Sequence, residues 1–178
     1  MAMKISEVKA FLESIENSDD ERLLWLAQDD RKGVKSLLNA FHNRMERRAL
    51  LESRFEEMNA FENELRASNV SMIAGIDEVG RGPLAGPVVA SAVILDEFRP
   101  ILGLNDSKKL THQQRETLFL EIQEKAVAIG LSILPPEKID EVNILEATKL
   151  AMIEALGKLN PKPQHLLIDA LLLNVKLP

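Results

Sequence analysis

The run Ile76-Asp77-Glu78-Val79-Gly80-Arg81-Gly82-Pro83 holds the residue types best suited to chemistry in this chain. Two adjacent carboxylates close a short apolar stretch. A carboxylate at the end of a buried strand is costly unless it is paired, hydrogen-bonded or bound to metal. Neighbours on a regular strand point to opposite faces, so both acids meet one ion only if the backbone turns between or just after them. Gly80 and Gly82 supply that freedom and let the backbone approach a ligand closely. Arg81, between them, is placed to meet an anion. The combination suits a metal and a phosphodiester together. The plainer alternative is a turn with solvated acids and Arg81 paired to one of them.

A second carboxylate site lies in Leu166-Leu167-Ile168-Asp169-Ala170-Leu171-Leu172-Leu173, where one charge interrupts an apolar run. Asp169 needs a partner there, either backbone amides at a strand end or a shared ion. If this strand lies beside the one that ends at Asp77, Asp77, Glu78 and Asp169 offer three hard oxygen donors around one point. Such donors suit Mg2+ or Mn2+ rather than zinc. In Asp106-Ser107-Lys108-Lys109-Leu110, a helix start with a serine and two lysines can hold phosphate through amides, dipole and ammonium groups; the alternative is an ordinary capped helix. Asn143, in the largely apolar Ile139-Asp140-Glu141-Val142-Asn143-Ile144, reads as a hydrogen-bonding brace without a catalytic role.

The elements that must position these residues fall into two regions. Residues 1–67 hold one glycine, Gly33, and no proline, whereas residues 72–178 hold the other seven glycines and all eight prolines. A boundary is expected there, between a helical segment 1–70 and a second domain 71–178. In the first region, Ile5, Val8, Phe11, Leu12 and Ile15 line one helix face. Ser18, followed three residues later by Glu21, reads as a helix start. A long helix is expected over 35–67, with a stripe of Leu38, Phe41, Met45, Leu51, Phe55, Met58, Phe61 and Leu65. Arg44, Arg47, Arg48 and Arg54 form a basic cluster on it, offset by Glu46, Glu52, Glu56 and Glu57. In the second region, strands are expected over 72–76, 88–95, 126–134 and from 165 to 168. Helices are expected from 108 to about 125, capped by Ser107, and from 137 to 159. This order gives an α/β domain, a mixed sheet flanked by helices, preceded by an all-α N-terminal extension.

Composition narrows the function classes. The chain has no cysteine, so disulfides, thiolate metal sites and a cysteine nucleophile are excluded. His42, His112 and His165 are scattered, a poor basis for zinc. No stretch approaches the ~18 apolar residues of a membrane span, and the N-terminus lacks the apolar run of a signal peptide. A cytoplasmic protein with no membrane partner is expected. The net charge of −6 weighs against a nucleic-acid partner, although a local basic patch can coexist with an acidic whole.

The run from Gly75 through Asp77-Glu78-Val79-Gly80-Arg81-Gly82-Pro83-Leu84-Ala85-Gly86-Pro87 to Val88 resembles the signature of the type 2 ribonucleases H, specifically bacterial ribonuclease HII. Asp106-Ser107-Lys108-Lys109-Leu110, Ile139 through Asn143-Ile144, and Leu167-Ile168-Asp169 recur in that family in the same order. The likeness covers roughly residues 72–178; residues 1–70 resemble the helical extension that some members carry. The resemblance implies an RNase H-like fold and hydrolysis of RNA in RNA–DNA hybrids, including single ribonucleotides in duplex DNA. It implies Asp77, Glu78 and Asp169 as catalytic metal ligands. Gly80, Arg81 and Gly82 become readers of the ribonucleotide 2′-OH, the group that marks RNA. Ser107 and Lys108 are placed near the phosphate backbone. Two-metal hydrolysis with Mg2+ or Mn2+ would leave 5′-phosphate and 3′-hydroxyl ends. The family's fourth acidic residue, a tyrosine beneath the sugar and the C-terminal helices that grip the duplex have no counterpart in these 178 residues. A C-terminally truncated, monomeric enzyme with weak metal binding and impaired activity is therefore expected. Rival readings are a non-catalytic module that binds nucleic acid or protein through the N-terminal helices, and a general DNA nuclease.

Overall fold

Apolar residues collect into two separate cores, and each organises its own part of the chain. The computed structural model describes residues 3–17, 19–82, 86–169 and 171–177. It divides into two compact units, residues 1–58 and 59–178.

The first unit is helical. Helix α1 (Ile5–Ser14) starts where the Glu7 carboxylate accepts the Lys4 backbone N–H at 2.7 Å. Helix α2 (Glu21–Leu26) is capped by Asp20, which accepts the Arg22 N–H at 2.9 Å. The cap expected at Ser18 thus falls two residues later; Ser18 itself lies outside the described residues. Helix α3 (Lys32–Met58) is long, but only its first half joins the core. Val34, Leu38 and Phe41 pack with Val8, Leu12, Ile15, Leu23 and Leu26. Further along the stripe Met58 is exposed, and the helix stops there instead of running on to residue 67.

The second unit begins with α4 (Ala60–Ala67), whose Arg66 Nε lies 3.1 Å from Glu97 Oε2. Four strands follow: β1 (Ile73–Val79), β2 (Val88–Ile94), β3 (Ala128–Leu134) and β4 (His165–Ile168). Between them lie a 3-10 turn at Ser107–Lys109, α5 (His112–Lys125), α6 (Pro136–Val142) and α7 (Ile144–Gly157). The described strands form one mixed sheet in the order β3-β2-β1-β4. β2 runs antiparallel to both its neighbours, β1 and β3, and β4 runs parallel to β1. A parallel pairing needs a crossover; α6 and α7 lie within the link from β3 to β4 and provide it. The expected RNase H-like mixed sheet with helices and a helical N-terminal region is what the structure holds.

Two local choices let α7 sit on the sheet. Its Ala147, Ala151 and Ala155 face Ala90 and Ala92 of β2 in one fully buried layer. Small side chains on both sides allow close approach. Gly130 of β3 lies under the Ala155 carbonyl, and any Cβ there would collide with it. The single helix expected over 137–159 is broken at Asn143, which adopts φ 72°. Its side chain accepts the N–H groups of Leu145 and Glu146, so it caps α7 and is the brace its context suggests.

Candidate active site

β1 is an interior strand, and its last turn of alternation carries both acids. Asp77 pairs across to Ser91 and Glu78 to Ala90. On the other side Ile76 pairs with Ile168 of β4. Asp77 and Asp169 are therefore the next residues along two parallel neighbours, and the register brings them side by side. The sequence condition for convergence, that the two strands be adjacent, is met.

Of the two places expected for the turn, between the acids or just after them, the structure has the second: β1 continues in regular pairing through Val79 and turns at Gly80. The two acids therefore project to opposite faces of the sheet. Asp77 is exposed, and its Oδ1 accepts the Glu78 N–H at 2.8 Å. The Glu78 side chain is only 16% exposed, and its Oε1 lies 3.1 Å from the Arg81 guanidinium. The plainer pairing of Arg81 with an acid is thus realised. Among the described residues no three His, Asp or Glu side chains gather as a ready cation site. The donor set is right for a hard divalent cation. Asp77 and Asp169 each follow the last β1–β4 pair, Ile76 and Ile168, while Glu78 is engaged by Arg81 three residues further along the chain.

The turn begins at Gly80, at φ 99°. A Cβ at Gly80 would strike the Pro87 carbonyl, so the left-handed backbone and the close approach both require glycine here. Gly82 has open space around it and no positive φ, so only one of the two glycines has the conformational role expected of both. Pro83, Leu84 and Ala85 lie outside the described residues.

The Ser107 segment departs from expectation. It is a 3-10 turn, and its cap is Asp106, which accepts the Lys108 N–H at 2.9 Å. That amide, which a phosphate would have used, is already taken. The long helix starts later, at His112, with a capping box between Thr111 and Gln114. Arg115 holds the turn by donating to the carbonyls of Ser107 (3.3 Å) and Leu110 (2.7 Å). The Lys108 and Lys109 side chains are exposed, with no ion-pair partner among the described residues. No described hydrogen bond joins this turn to the Asp77 loop.

Two positioning residues gave no signal in the sequence. Gln164 Oε1 accepts the N–H groups of Ser71 (2.9 Å) and Met72 (3.0 Å), and its own N–H donates to the Met72 carbonyl at 2.7 Å. These bonds set the β1–β4 register one residue before pairing begins. Arg115 is the other, legible only once the Thr111 cap is known. In the first unit the arginine cluster is largely structural: Arg44 donates to the Leu12 carbonyl and lies over the Phe41 ring, and Arg48 pairs with Glu52 at 2.9 Å.

Comparison with known proteins covers both units. A family model described as Ribonuclease HII matches residues 74–176, and one described as Ribonuclease HII N-terminal domain matches residues 4–66. A ribonuclease HII of Bacillus mycoides is 48% identical over 176 residues, covering 99% of this chain and 68% of the relative. One from Geobacillus thermodenitrificans is 49% identical over 174 residues, covering 98% and 67%. Among solved structures, a ribonuclease H2 from Pyrococcus horikoshii is similar at 36% identity and TM-score 0.48, covering 54% of this chain and 48% of that one. The chain thus spans about two thirds of the length of these curated relatives and about half of the solved one.

Proposed function

The chain belongs to the ribonuclease HII family of ribonuclease H-type hydrolases, and on that membership we propose that residues 71–178 are the catalytic domain of an endoribonuclease acting on RNA–DNA hybrids and on single ribonucleotides embedded in duplex DNA. The observation that carries the reading is the register of β1 against β4. It sets Asp77 and Asp169 at adjacent positions inside the matched segment.

Asp77, Asp169 and Glu78 are the residues that would hold Mg2+ or Mn2+, with Glu78 exchanging Arg81 for the cation. Held there, a pair of such cations would supply Lewis-acid activation of water and charge stabilisation at a leaving 3′-oxygen, chemistry that would leave 5′-phosphate and 3′-hydroxyl ends. The protein's own residues orient the substrate. The Gly80-Arg81-Gly82 backbone, held close to Pro87, presents amides and a guanidinium to the sugar and phosphate at the RNA–DNA junction. The Ser107 hydroxyl and Lys108 ammonium contact the backbone phosphates through side chains, since the Lys108 amide is capped. Because Glu78 is engaged by Arg81 in this arrangement, a cation has to displace that guanidinium to use all three carboxylates.

The test is a pair of duplexes that differ by one 2′-OH, incubated with the chain and Mn2+. Cleavage is expected only at the ribonucleotide. Asp77→Asn and Asp169→Asn are each expected to lower it by about a hundredfold or more, the scale of losing an electrostatic group at the reacting centre. Equal cleavage of the all-DNA control would favour a general DNA nuclease instead. Undiminished cleavage by either variant would remove that residue from the site.

A further inference from the structure

Helix α3 has two distinct faces, and the core of the first unit uses only one of them. At about 100° of turn per residue, Val34, Leu38, Phe41 and Met45 fall on one line, and that line packs into the core. Followed along the helix, the same line runs out at Glu52 and Glu56, which are exposed. The apolar side chains of the second half do not continue it. Leu51 and Met58 stand roughly 100–130° round the helix from the core line, and Met58 is 50% exposed. The charges divide in the same way. Arg44, Arg47, Arg48 and Arg54 all fall within about 60° of Leu51, whereas Glu46, Glu52, Glu56 and Glu57 fall about 100° or more from it. Counted along the sequence, the acids offset the bases; wound into one helix, they occupy different faces. Two of the arginines are committed, Arg44 to the Leu12 carbonyl and Arg48 to Glu52. Arg47 and Arg54 are exposed and have no ion pair among the described residues.

A helix face with guanidinium groups on either side of a narrow apolar stripe, and with its carboxylates turned away, is complementary to a polyanion. Guanidinium groups grip phosphate oxygens through paired hydrogen bonds. Arg47 and Arg54, about 10 Å apart along the helix axis, reach separate phosphates of one duplex. We propose that this face of α3, centred on Arg47, Leu51 and Arg54, binds the phosphate backbone of a nucleic-acid duplex. The inference rests on the family reading, which supplies the duplex as the polyanion. Contacts to phosphate position a duplex without reading it. The face therefore takes DNA and hybrid duplexes alike, and the choice of ribonucleotide stays with the second unit. The net charge of −6 does not oppose this, because in salt a phosphate feels charges within about 10 Å, where the local face dominates.

The test follows the anisotropy of a labelled all-DNA duplex titrated with the 178-residue chain, without divalent cation, over a range of salt concentrations. Arg47→Ala/Arg54→Ala is expected to weaken binding by about tenfold at low salt and to flatten the log–log salt slope by about 1.8, the loss of two phosphate contacts. Arg47→Lys/Arg54→Lys keeps both charges and should keep that slope. Lys9→Ala removes an exposed positive charge from α1 in the same unit and should change affinity by less than about twofold. Arg47→Gln and Arg54→Gln, made singly, disturb the helix least and give a second measurement if the alanine pair fails to fold; each should flatten the slope by about 0.9. Unchanged affinity and slope in these variants overturn the proposal, as does an equal loss in Lys9→Ala, which would mean diffuse charge and no defined face. So does tighter binding of a glutamate-rich peptide than of the duplex, lost in the same variants, which would assign the face to an acidic protein. The readout needs neither metal nor cleavage. Unchanged duplex binding beside intact ribonucleotide-specific cleavage sinks this inference alone. Binding that falls as expected, in a chain that does not cleave at the ribonucleotide with Mn2+, sinks the nuclease reading alone.

Discussion

Asp77 and Glu78 are neighbours in sequence but not in environment, and the difference governs what each can do. Asp77 lies on the open face beside Asp169, whereas Glu78 is sheltered and held by Arg81 at 3.1 Å. A guanidinium and a divalent cation compete for one carboxylate. Removing the guanidinium should therefore strengthen cation binding, by about two- to fivefold if the pair is worth the usual fraction of a kcal/mol for a partly exposed bridge. Calorimetric titration of the Arg81→Ala chain with Mn2+ checks this. An affinity equal to that of the parent would mean that Glu78 is no ligand. The same variant should bind the ribonucleotide duplex more weakly, since Arg81 is also the group offered to its backbone. The acids themselves were legible in the sequence, because a charge at the end of an apolar run demands an explanation. Their division between two faces was not. It depends on β1 continuing to Val79, which follows from pairing with Val89 across the sheet and not from any local propensity. The role of Arg81 as partner was one of two readings the sequence left open.

At the scale of elements, what the sequence revealed and what it hid have separate physical causes. Four strands were legible from β-branched and apolar runs bounded by Gly and Pro, and β4 begins where expected. Helix ends were less so, because a cap is a hydrogen bond and several nearby residues can make it. Asp20 rather than Ser18, and Thr111 rather than Ser107, accept the decisive N–H. The break at Asn143 needed a positive φ that the apolar periodicity around it conceals. Gln164 was invisible because its partners, Ser71 and Met72, are far away in sequence. Its bonds are exposed, so Gln164→Ala should lower stability by only about 0.5–1.5 kcal/mol in urea unfolding. Its effect on cleavage should be larger than its effect on stability, since it loosens the register that seats Asp169. Hydrogen exchange at the Ser71 and Met72 amides reads the local change directly. Gln164→Glu retains the acceptor oxygen and should restore slow exchange at both; rapid exchange in that variant would argue that the clamp does not depend on Oε1.

For the molecule as a whole, two cores with separate memberships imply two separable folding units. Val8, Leu12, Leu26, Val34 and Phe41 belong to one, and Ala90, Ala92, Ala151 and Met152 to the other. The composition break near residue 68 does not coincide with the division of packing, which falls after Met58. Helix α4 lies between the two points and belongs with the second unit, where Arg66 meets Glu97. Two deletions separate these alternatives. Removing residues 1–58 should leave the sheet unit folded, with its thermal transition close to that of the parent. Removing residues 1–70 also takes away α4, and should lower that transition by several degrees, since about 1 kcal/mol moves the midpoint of a domain of this size by roughly 4–8 °C. Equal melting of the two truncated chains would show that α4 contributes nothing to the second unit. Function should divide along the same line. Asp77, Glu78, Arg81, Lys108 and Asp169 all lie beyond residue 58, so cleavage position on a ribonucleotide duplex should survive the shorter deletion. If the first unit grips substrate, its loss should raise KM and leave kcat unchanged, the signature of binding that is equal in the ground and transition states. If KM is also unchanged and only capture of another protein is lost, the helices serve as an adaptor, and the site in the second unit acts on its duplex alone.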